Sequence, residues 1–182
     1  PAGPLSASGR VRQGADGTLD LDVTAEGPGG TTGRIDGRAL LPGGAVDLAI
    51  AGTAPLALAN PYITPRSVTG TAQFDLTLSG QPGPDALRGR VTLSGGRFSE
   101  PSVGLAVEDI AGAIDLTGGA ARLDLRAAVN GGAISLSGPV GLSAPYSADL
   151  TAALTNVPFE QPGLVTTRLN GQIAVRGGLT GG

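Results

Sequence analysis

Five residue types are missing from this chain: cysteine, histidine, methionine, tryptophan and lysine. All 12 basic residues are therefore arginines. Without histidine, cysteine or lysine, the usual general bases, thiolate nucleophiles and Schiff-base amines are absent, and only carboxylates and hydroxyls remain for chemistry. These absences predict a protein that is not an enzyme and that holds no cofactor.

Aromatic side chains and clustered charge are also scarce. The chain has 2 tyrosines and 3 phenylalanines, and its 15 acidic and 12 basic residues are scattered singly, for a net charge of -3. Nucleic-acid binding needs a stripe of positive charge or aromatic platforms on which bases stack. The sequence offers neither, which predicts that nucleic acid is not a partner.

Long apolar runs and a signal peptide are absent as well. No stretch approaches the ~20 apolar residues that a helix needs to span a bilayer. A chain without methionine is expected to be an internal or C-terminal piece of a longer protein, with any anchor or export signal elsewhere. The lack of cysteine fits an oxidising compartment. At 182 residues, the simplest expectation is one domain over residues 1–182.

Alternation of polar and apolar residues is what the sequence does have. In residues 68–80, VTGTAQFDLTLSG, every even position is apolar or glycine and every odd position is polar. A period of two predicts a long strand with one polar and one apolar face. No window has apolar residues at helical spacing, and glycine or proline interrupts nearly every stretch of ten.

The same pattern recurs along the chain and predicts an all-β fold of about thirteen strands, mainly antiparallel. The predicted strands are 5–12, 19–23, 34–41, 45–52, 55–59, 68–80, 87–94, 103–108, 110–117, 122–129, 132–140, 146–154 and 164–176.

A glycine motif punctuates these strands. It reads Gly, any, aliphatic, any, aliphatic, any, Gly, Gly, and it ends at Gly43-Gly44, Gly95-Gly96, Gly118-Gly119 and Gly177-Gly178. Paired glycines accept the positive φ angles of tight hairpins, so each copy predicts a strand followed by a turn. Proline predicts further loops at 60–65, 81–84 and 156–163.

Two acidic groups could suggest chemistry. Glu108 and Asp109 are adjacent, but neighbours in a strand point to opposite faces, so they are interpreted as solvated charges. Asp20 and Asp22 follow Gly14-Ala15-Asp16-Gly17 in a weak likeness to a calcium-binding repeat. Such repeats stack in tandem and this one occurs once, so a turn followed by a polar strand face is favoured and no metal is predicted.

The apolar strand positions are predicted to line one continuous surface. The residues assigned to it are Val68, Phe74, Leu76, Leu78, Val91, Leu93, Leu105, Val107, Ile114, Leu116, Leu123, Leu125, Ile134, Leu136, Leu150, Ile173 and Val175. Small inward residues either let two sheets approach closely or leave a smooth apolar trough. Composition and periodicity leave both possibilities open.

Residues 89–138 resemble the repetitive C-terminal region of the TamB family, the AsmA-like translocation and assembly module proteins of diderm bacteria. The likeness rests on the recurring strand, glycine turn and "GG-x-aliphatic-x-aliphatic-x-G" phrase, as in Gly131-Gly132-Ala133-Ile134-Ser135-Leu136-Ser137-Gly138. It extends more loosely over nearly the whole chain.

The resemblance implies an elongated, curved sheet folded into a β-taco, with an apolar trough along its length. Such proteins are anchored in the inner membrane and cross the periplasm. The implied function is to conduct phospholipid to the outer membrane, with acyl chains held in the trough. An Omp85-type outer-membrane barrel is the implied partner of the full-length protein, and a role in outer-membrane protein assembly is implied too.

Two hypotheses therefore remain: a lipid-conducting trough, and a structural or adhesive β-solenoid passenger domain of an exported protein with a dry interior. In either case, unpaired groups on the terminal strands predict end-to-end pairing with another copy.

Overall fold

The computed structural model describes Pro4 and residues 6–14, 16–40, 43–161 and 165–178. Its strands form one 11-stranded antiparallel sheet, which confirms the all-β prediction. The strands are β1 Ser6–Gln13, β2 Thr18–Gly27, β3 Thr31–Leu40, β4 Val46–Pro55, β5 Ser67–Gly80, β6 Leu87–Glu100, β7 Leu105–Thr117, β8 Ala120–Val129, β9 Gly132–Gly141, β10 Ser147–Gln161 and β11 Val165–Gly178.

The strands follow one another across the sheet in chain order, so the fold is a simple meander. Short glycine turns make this possible. Between β3 and β4, Gly43 has φ 66°, and the Leu40 amide donates to the Ala45 carbonyl at 3.0 Å. Gly118 and Gly119, with φ 79° and 72°, connect β7 to β8. Both turns lie where the glycine motif predicts them.

The strand count differs from the prediction for two reasons. Residues 56–59 form a turn of 3-10 helix that continues into a short α-helix, α1, at Asn60–Ile63. The predicted strand at 55–59 and the predicted absence of helix are therefore wrong, because Pro61 starts a helix well at its first turn. The predicted strands 103–108 and 110–117 are one strand, β7, bent at Asp109.

Bulges explain the remaining errors. Gly95-Gly96, predicted to be a turn, lies inside β6 where its register with β7 shifts. Residues 156–161 of the loop predicted at 156–163 lie inside β10, which has a register shift between Leu154 and Val157. Parts of the predicted elements, namely residues 5, 41 and 162–164, lie outside the described residues.

Each bulge keeps apolar residues on the same side of the sheet. On the apolar side of β6, Leu93 is followed by Gly96, three positions on instead of two. On the same side of β7, Val107 is followed by Ile110, again three positions on. A bulge adds one unpaired residue and so restores the face after a break in the alternation. The extra residues have left-handed φ angles, 57° at Gly95, 52° at Asp109 and 52° at Asn156.

The sheet is open and has little interior. In the described structure, extensive contacts between strands occur between strands that are consecutive in the chain. The accessible surface is 11472 Å², whereas a compact protein of 17.7 kDa has about 7,900 Å². The buried apolar residues are small ones: Ala86, Ala121, Val129, Ala148 and Val157. Within the described part of the chain, no helix is long and apolar enough to cross a membrane.

Candidate functional site

One unbroken row of apolar residues crosses all strands. Residues directly opposite each other in an antiparallel pair project to the same side of the sheet. Starting from β1, the opposed residues are Gly9, Val23, Ile35, Ile50, Leu76, Gly89, Leu116, Ala121, Val140, Ala148 and Gly177. With ~4.8 Å between strands, the row is about 48 Å long. We call the side of the sheet that carries it the apolar face.

The structure places every residue of the predicted surface on the apolar face. Val91, Ile114 and Leu123 continue from Phe74, and Leu125, Leu136 and Ile173 continue from Leu93. Beyond the bulges, Val107 and Val68 lie on opposite sides of Phe98. The remaining members are Leu76, Leu78, Leu105, Leu116, Ile134, Leu150 and Val175.

None of these side chains is fully buried. Leu105, Ile173 and Val175 are exposed, and the others are half-buried. Side chains inside a two-layered β-sandwich interdigitate and lose nearly all contact with water. The apolar face is therefore a single layer whose side chains pack against their neighbours in the sheet and leave their tips accessible.

The opposite side, which we call the charged face, carries most of the ion pairs. Arg90 lies across from Asp115 and donates to it at 2.6 Å, and Arg176 contacts Asp149 at 2.9 Å. Arg34 contacts Asp36 at 2.6 Å and Asp22 at 3.3 Å. Hydrogen bonds from these arginines lower the pKa of Asp115 and of Asp36.

Glycine on the apolar face brings neighbouring backbones close together. Gly89 and Gly112 have φ angles of 126° and 145°, which side chains rarely allow. A Cβ atom at Gly89 would lie 2.2 Å from the Asp75 carbonyl oxygen, and one at Gly112 would lie 2.1 Å from that of Asp124. Glycine kinks and bulges are the usual means by which a sheet bends.

A carboxylate that the alternation did not predict interrupts the apolar face at one end. Glu100 is the last residue of β6 and 7% exposed. It accepts hydrogen bonds from the Ser102 hydroxyl at 2.6 Å, from the Ser102 amide at 3.3 Å and from Arg66 Nε. These bonds, led by the one from Ser102, lower the pKa of Glu100. The sequence signal is the spacing Phe98-x-Glu100, which puts both residues on one side of a strand, and the register sets Glu100 opposite Leu105.

Next to this end, the chain between β4 and β5 forms a rim. The Asn60 side-chain oxygen accepts a hydrogen bond from the Val68 amide at 2.7 Å, which holds α1 against β5. An open depression of about 870 Å³ lies between Pro28, Pro55, Leu58 and Tyr62. Tyr62 is 89% exposed, so the rim presents apolar surface to the solvent.

The acidic groups weighed in the sequence have separate partners. The Thr18 amide donates to Asp16 at 3.1 Å, Arg38 contacts Asp20 at 3.1 Å, and Arg34 contacts Asp22. Glu108 contacts Arg97 at 3.2 Å. The described residues contain no group of three or more metal-ligating side chains.

Comparisons with protein-family models, with curated proteins and with solved structures find no match for this chain.

Proposed function

We propose that this chain is a segment of a periplasmic bridge that conducts phospholipid between the inner and outer membranes along its apolar face. The observation that carries the proposal is an apolar face about 48 Å long, over which the described residues place no second layer. Soluble monomers rarely expose contiguous apolar patches above a few hundred Å², and larger ones mark binding sites for proteins, membranes or ligands.

The dimensions of the apolar face suit a passing lipid better than a stationary one. An acyl chain fills about half of the ~30 Å hydrocarbon core of a bilayer. The apolar face is therefore several times as long as one acyl chain. A lipid held anywhere along it would meet similar aliphatic side chains from strand to strand. Such a surface favours sliding, because no single position binds much more tightly than the next.

The distribution of charge supports the same function. Apart from Glu100 at one end, positions on the apolar face between Phe74 and Leu136 carry aliphatic, aromatic, alanine or glycine residues. An unpaired charge in contact with acyl chains would be costly, so a conduit needs this uniformity. The headgroup of the lipid would stay in water at the margin, where polar partners are available.

The alternative, a structural or adhesive β-solenoid, fits the sheet less well. Successive rungs of a solenoid stack around an interior, whereas here each strand pairs antiparallel with the next and half-buried side chains replace a dry interior. Within the proposal, the periplasmic location, the inner-membrane anchor, the Omp85-type barrel partner and the link to outer-membrane protein assembly rest on the TamB-like sequence pattern alone.

Site-specific crosslinking tests the proposal. A photoreactive amino acid is placed at Leu123 on the apolar face or at Asp124, its neighbour on the charged face of the same strand. The protein is expressed with an export signal, irradiated in cells and analysed by mass spectrometry for phospholipid adducts. We expect adducts at position 123 and few at position 124.

Native mass spectrometry of the unmodified protein is the companion measurement, with copurifying phospholipid as the expected result. Equal amounts of phospholipid adduct at positions 123 and 124, or crosslinks to protein without any phospholipid adduct, would contradict a lipid path on the apolar face.

A further inference from the structure

A single arginine lies beside Glu100, at the end of the apolar face. Arg66 directly precedes β5, and its Nε donates a hydrogen bond to the Glu100 carboxylate. In the described part of the chain, the strand positions on the apolar face include no basic residue. Arg66 is thus a positive charge at the border of an otherwise aliphatic and aromatic surface.

Glu100 holds this arginine in place while most of the guanidinium stays accessible. The carboxylate is 7% exposed, and the Ser102 hydroxyl donates to it at 2.6 Å. The Arg66 side chain, by contrast, is 56% exposed. Among the described residues, its terminal nitrogens Nη1 and Nη2 donate to no residue other than Glu100. A guanidinium fixed through Nε presents these nitrogens as a preformed planar fork, which matches the oxygens of a phosphate group.

Apolar side chains begin directly inward from the guanidinium. Phe98 lies two residues before Glu100 in β6, between Val68 of β5 and Val107 of β7. An acyl chain is about 15 Å long, half of a ~30 Å bilayer core, and a strand rises ~3.3 Å per residue. A lipid chain that starts beside Arg66 and follows β6 would therefore cover Phe98 and Gly96. The order of guanidinium and apolar side chains matches the order of phosphate and acyl chain in a phospholipid.

The opposite ends of these strands have a different character. Arg88, near the start of β6, lies on the charged face and donates to the Thr117 carbonyl at 2.8 Å. Its guanidinium is therefore directed to the backbone on the other side of the sheet. This difference favours the Arg66 end as the place where a lipid headgroup meets the protein.

We propose that Arg66 binds the phosphate of a glycerophospholipid whose acyl chains lie over Phe98 on the apolar face, and that Glu100 is a positioning residue for Arg66. The inference rests on the proposed function, because it requires lipid on this face. Arg66 and Glu100 carry opposite charges, so the pair is neutral and binding depends on hydrogen bonds to the phosphate. The site should accept zwitterionic and anionic phospholipids alike.

Binding of short-chain lipids to the complete chain tests the proposal. The probes are dihexanoyl phosphatidylglycerol, dihexanoyl phosphatidylcholine, dihexanoylglycerol, which lacks the phosphate, and inorganic phosphate, with each lipid kept below its aggregation threshold. NMR shifts of the Phe98 and Ser99 amides report on the site, and those of the Leu123 amide report on the rest of the apolar face. We expect similar affinity for the two phospholipids and about tenfold weaker binding of dihexanoylglycerol. Inorganic phosphate, which has no acyl chains, should bind most weakly.

Two variants separate phosphate binding from a structural role of the ion pair. Arg66→Gln should weaken phospholipid binding about tenfold, with no effect on dihexanoylglycerol. The double variant Arg66→Gln, Glu100→Gln should show the same loss, although it leaves no unpaired carboxylate. The matched control is Arg97→Gln, because Arg97 lies on the charged face of β6 and contacts Glu108 at 3.2 Å. It removes the same charge and should bind phospholipid like the parent.

Several results would overturn the proposal. Equal phospholipid affinity of the parent and Arg66→Gln, with shifts at Leu123 in both, would remove the phosphate site but leave lipid binding by the apolar face intact. Recovery of affinity in the double variant would attribute the loss to a stranded carboxylate. An equal loss in Arg97→Gln, or binding of inorganic phosphate as tight as that of phospholipid, would indicate nonspecific attraction of anions. Absence of shifts with every lipid would contradict the proposed function itself, and this inference with it.

Discussion

The two faces of this sheet are made by the same strands, yet they are held in opposite ways. On the charged face, side chains meet across strands in ion pairs such as Arg90–Asp115, whose side chains are 63% and 40% exposed. On the apolar face, opposed residues such as Leu76 and Gly89 pair a large side chain with none. The comparison suggests that the apolar face sets the close fit of the backbones, while the charged face mainly keeps the sheet in solution.

The largest effect should come from adding a methyl group to the apolar face where backbones approach. Gly89→Ala and Gly112→Ala force a side chain onto a left-handed φ and into a carbonyl oxygen of a neighbouring strand. We expect each to lower the free energy of unfolding by about 2–3 kcal/mol, measured by urea denaturation.

Gly33→Ala is the matched control for these variants. Gly33 lies on the same face, and no atom comes within 4 Å of a Cβ built there. It should change stability by less than about 0.5 kcal/mol. If all three variants behaved alike, close backbone approach would not distinguish the positions.

A charge on the apolar face should sharpen the comparison further. Leu116→Arg places a guanidinium among Gly89 and Ala121, where the long side chain has room to reach water. We expect a loss of about 1–2 kcal/mol in stability from reduced apolar contact, together with loss of copurifying phospholipid in native mass spectrometry.

The control for this charge is Thr92→Arg on the opposite face, where Gln73 and Ala113 are the neighbours. Thr77, which also lies on the charged face, would be a poorer position for this control because Arg88 lies opposite it. Complete unfolding of Leu116→Arg would indicate a dry, packed interior, and retention of lipid would place the lipid elsewhere.

The third expected effect is a change of stability with pH that is due to Glu100, at one end of the apolar face. Hydrogen bonds from Ser102 and Arg66 lower the pKa of Glu100 below its ordinary 4.5. A lowered carboxyl pKa in the folded state stabilises the protein at neutral pH, and this contribution is lost as the pH falls below 4.5 through the folded-state value.

Thermal melts between neutral and acidic pH check this expectation. Glu100→Gln should be less stable than the parent at neutral pH, and the difference should shrink as the pH falls. Ser102→Ala should show a smaller difference with the same trend. Parallel stability curves for the parent and Glu100→Gln would mean that the carboxylate contributes nothing specific.

The smallest effect should come from breaking an ion pair on the charged face. Asp115→Asn removes the partner of Arg90, but both side chains are in contact with solvent, so little stability is expected to be lost. Any difference in the denaturation midpoint should disappear at about 0.5 M salt, which screens exposed charges. A loss of stability as large as that of Gly89→Ala would contradict the view that the charged face contributes little to stability.

Much of the fold could be predicted because a strict period of two reports directly on which residues share a face. The alternation in 68–80 became β5, and every residue assigned to the apolar surface lies on one side of the sheet. The bulges at Gly95, Asp109 and Asn156 could not be predicted from the same pattern, since each one interrupts the period while preserving the face. A break in alternation therefore resembled the end of a strand.

The role of Glu100 was not predicted for a different reason. The role of Glu100 depends on Ser102, Arg66 and the strand register, which bring together residues far apart in the chain. Periodicity gives the side of the sheet on which a residue lies, but contacts between residues far apart in the chain are a property of the assembled sheet.

The meander has a consequence for how such a molecule can change its size. Because each strand relies on its two neighbours in the chain, duplication or deletion of a whole hairpin would leave all other pairings intact. Each hairpin adds two strands and therefore about 9.6 Å to the sheet. The width of the sheet across its strands therefore changes in steps of one hairpin. Gene duplication could match this width to the distance that the protein has to span.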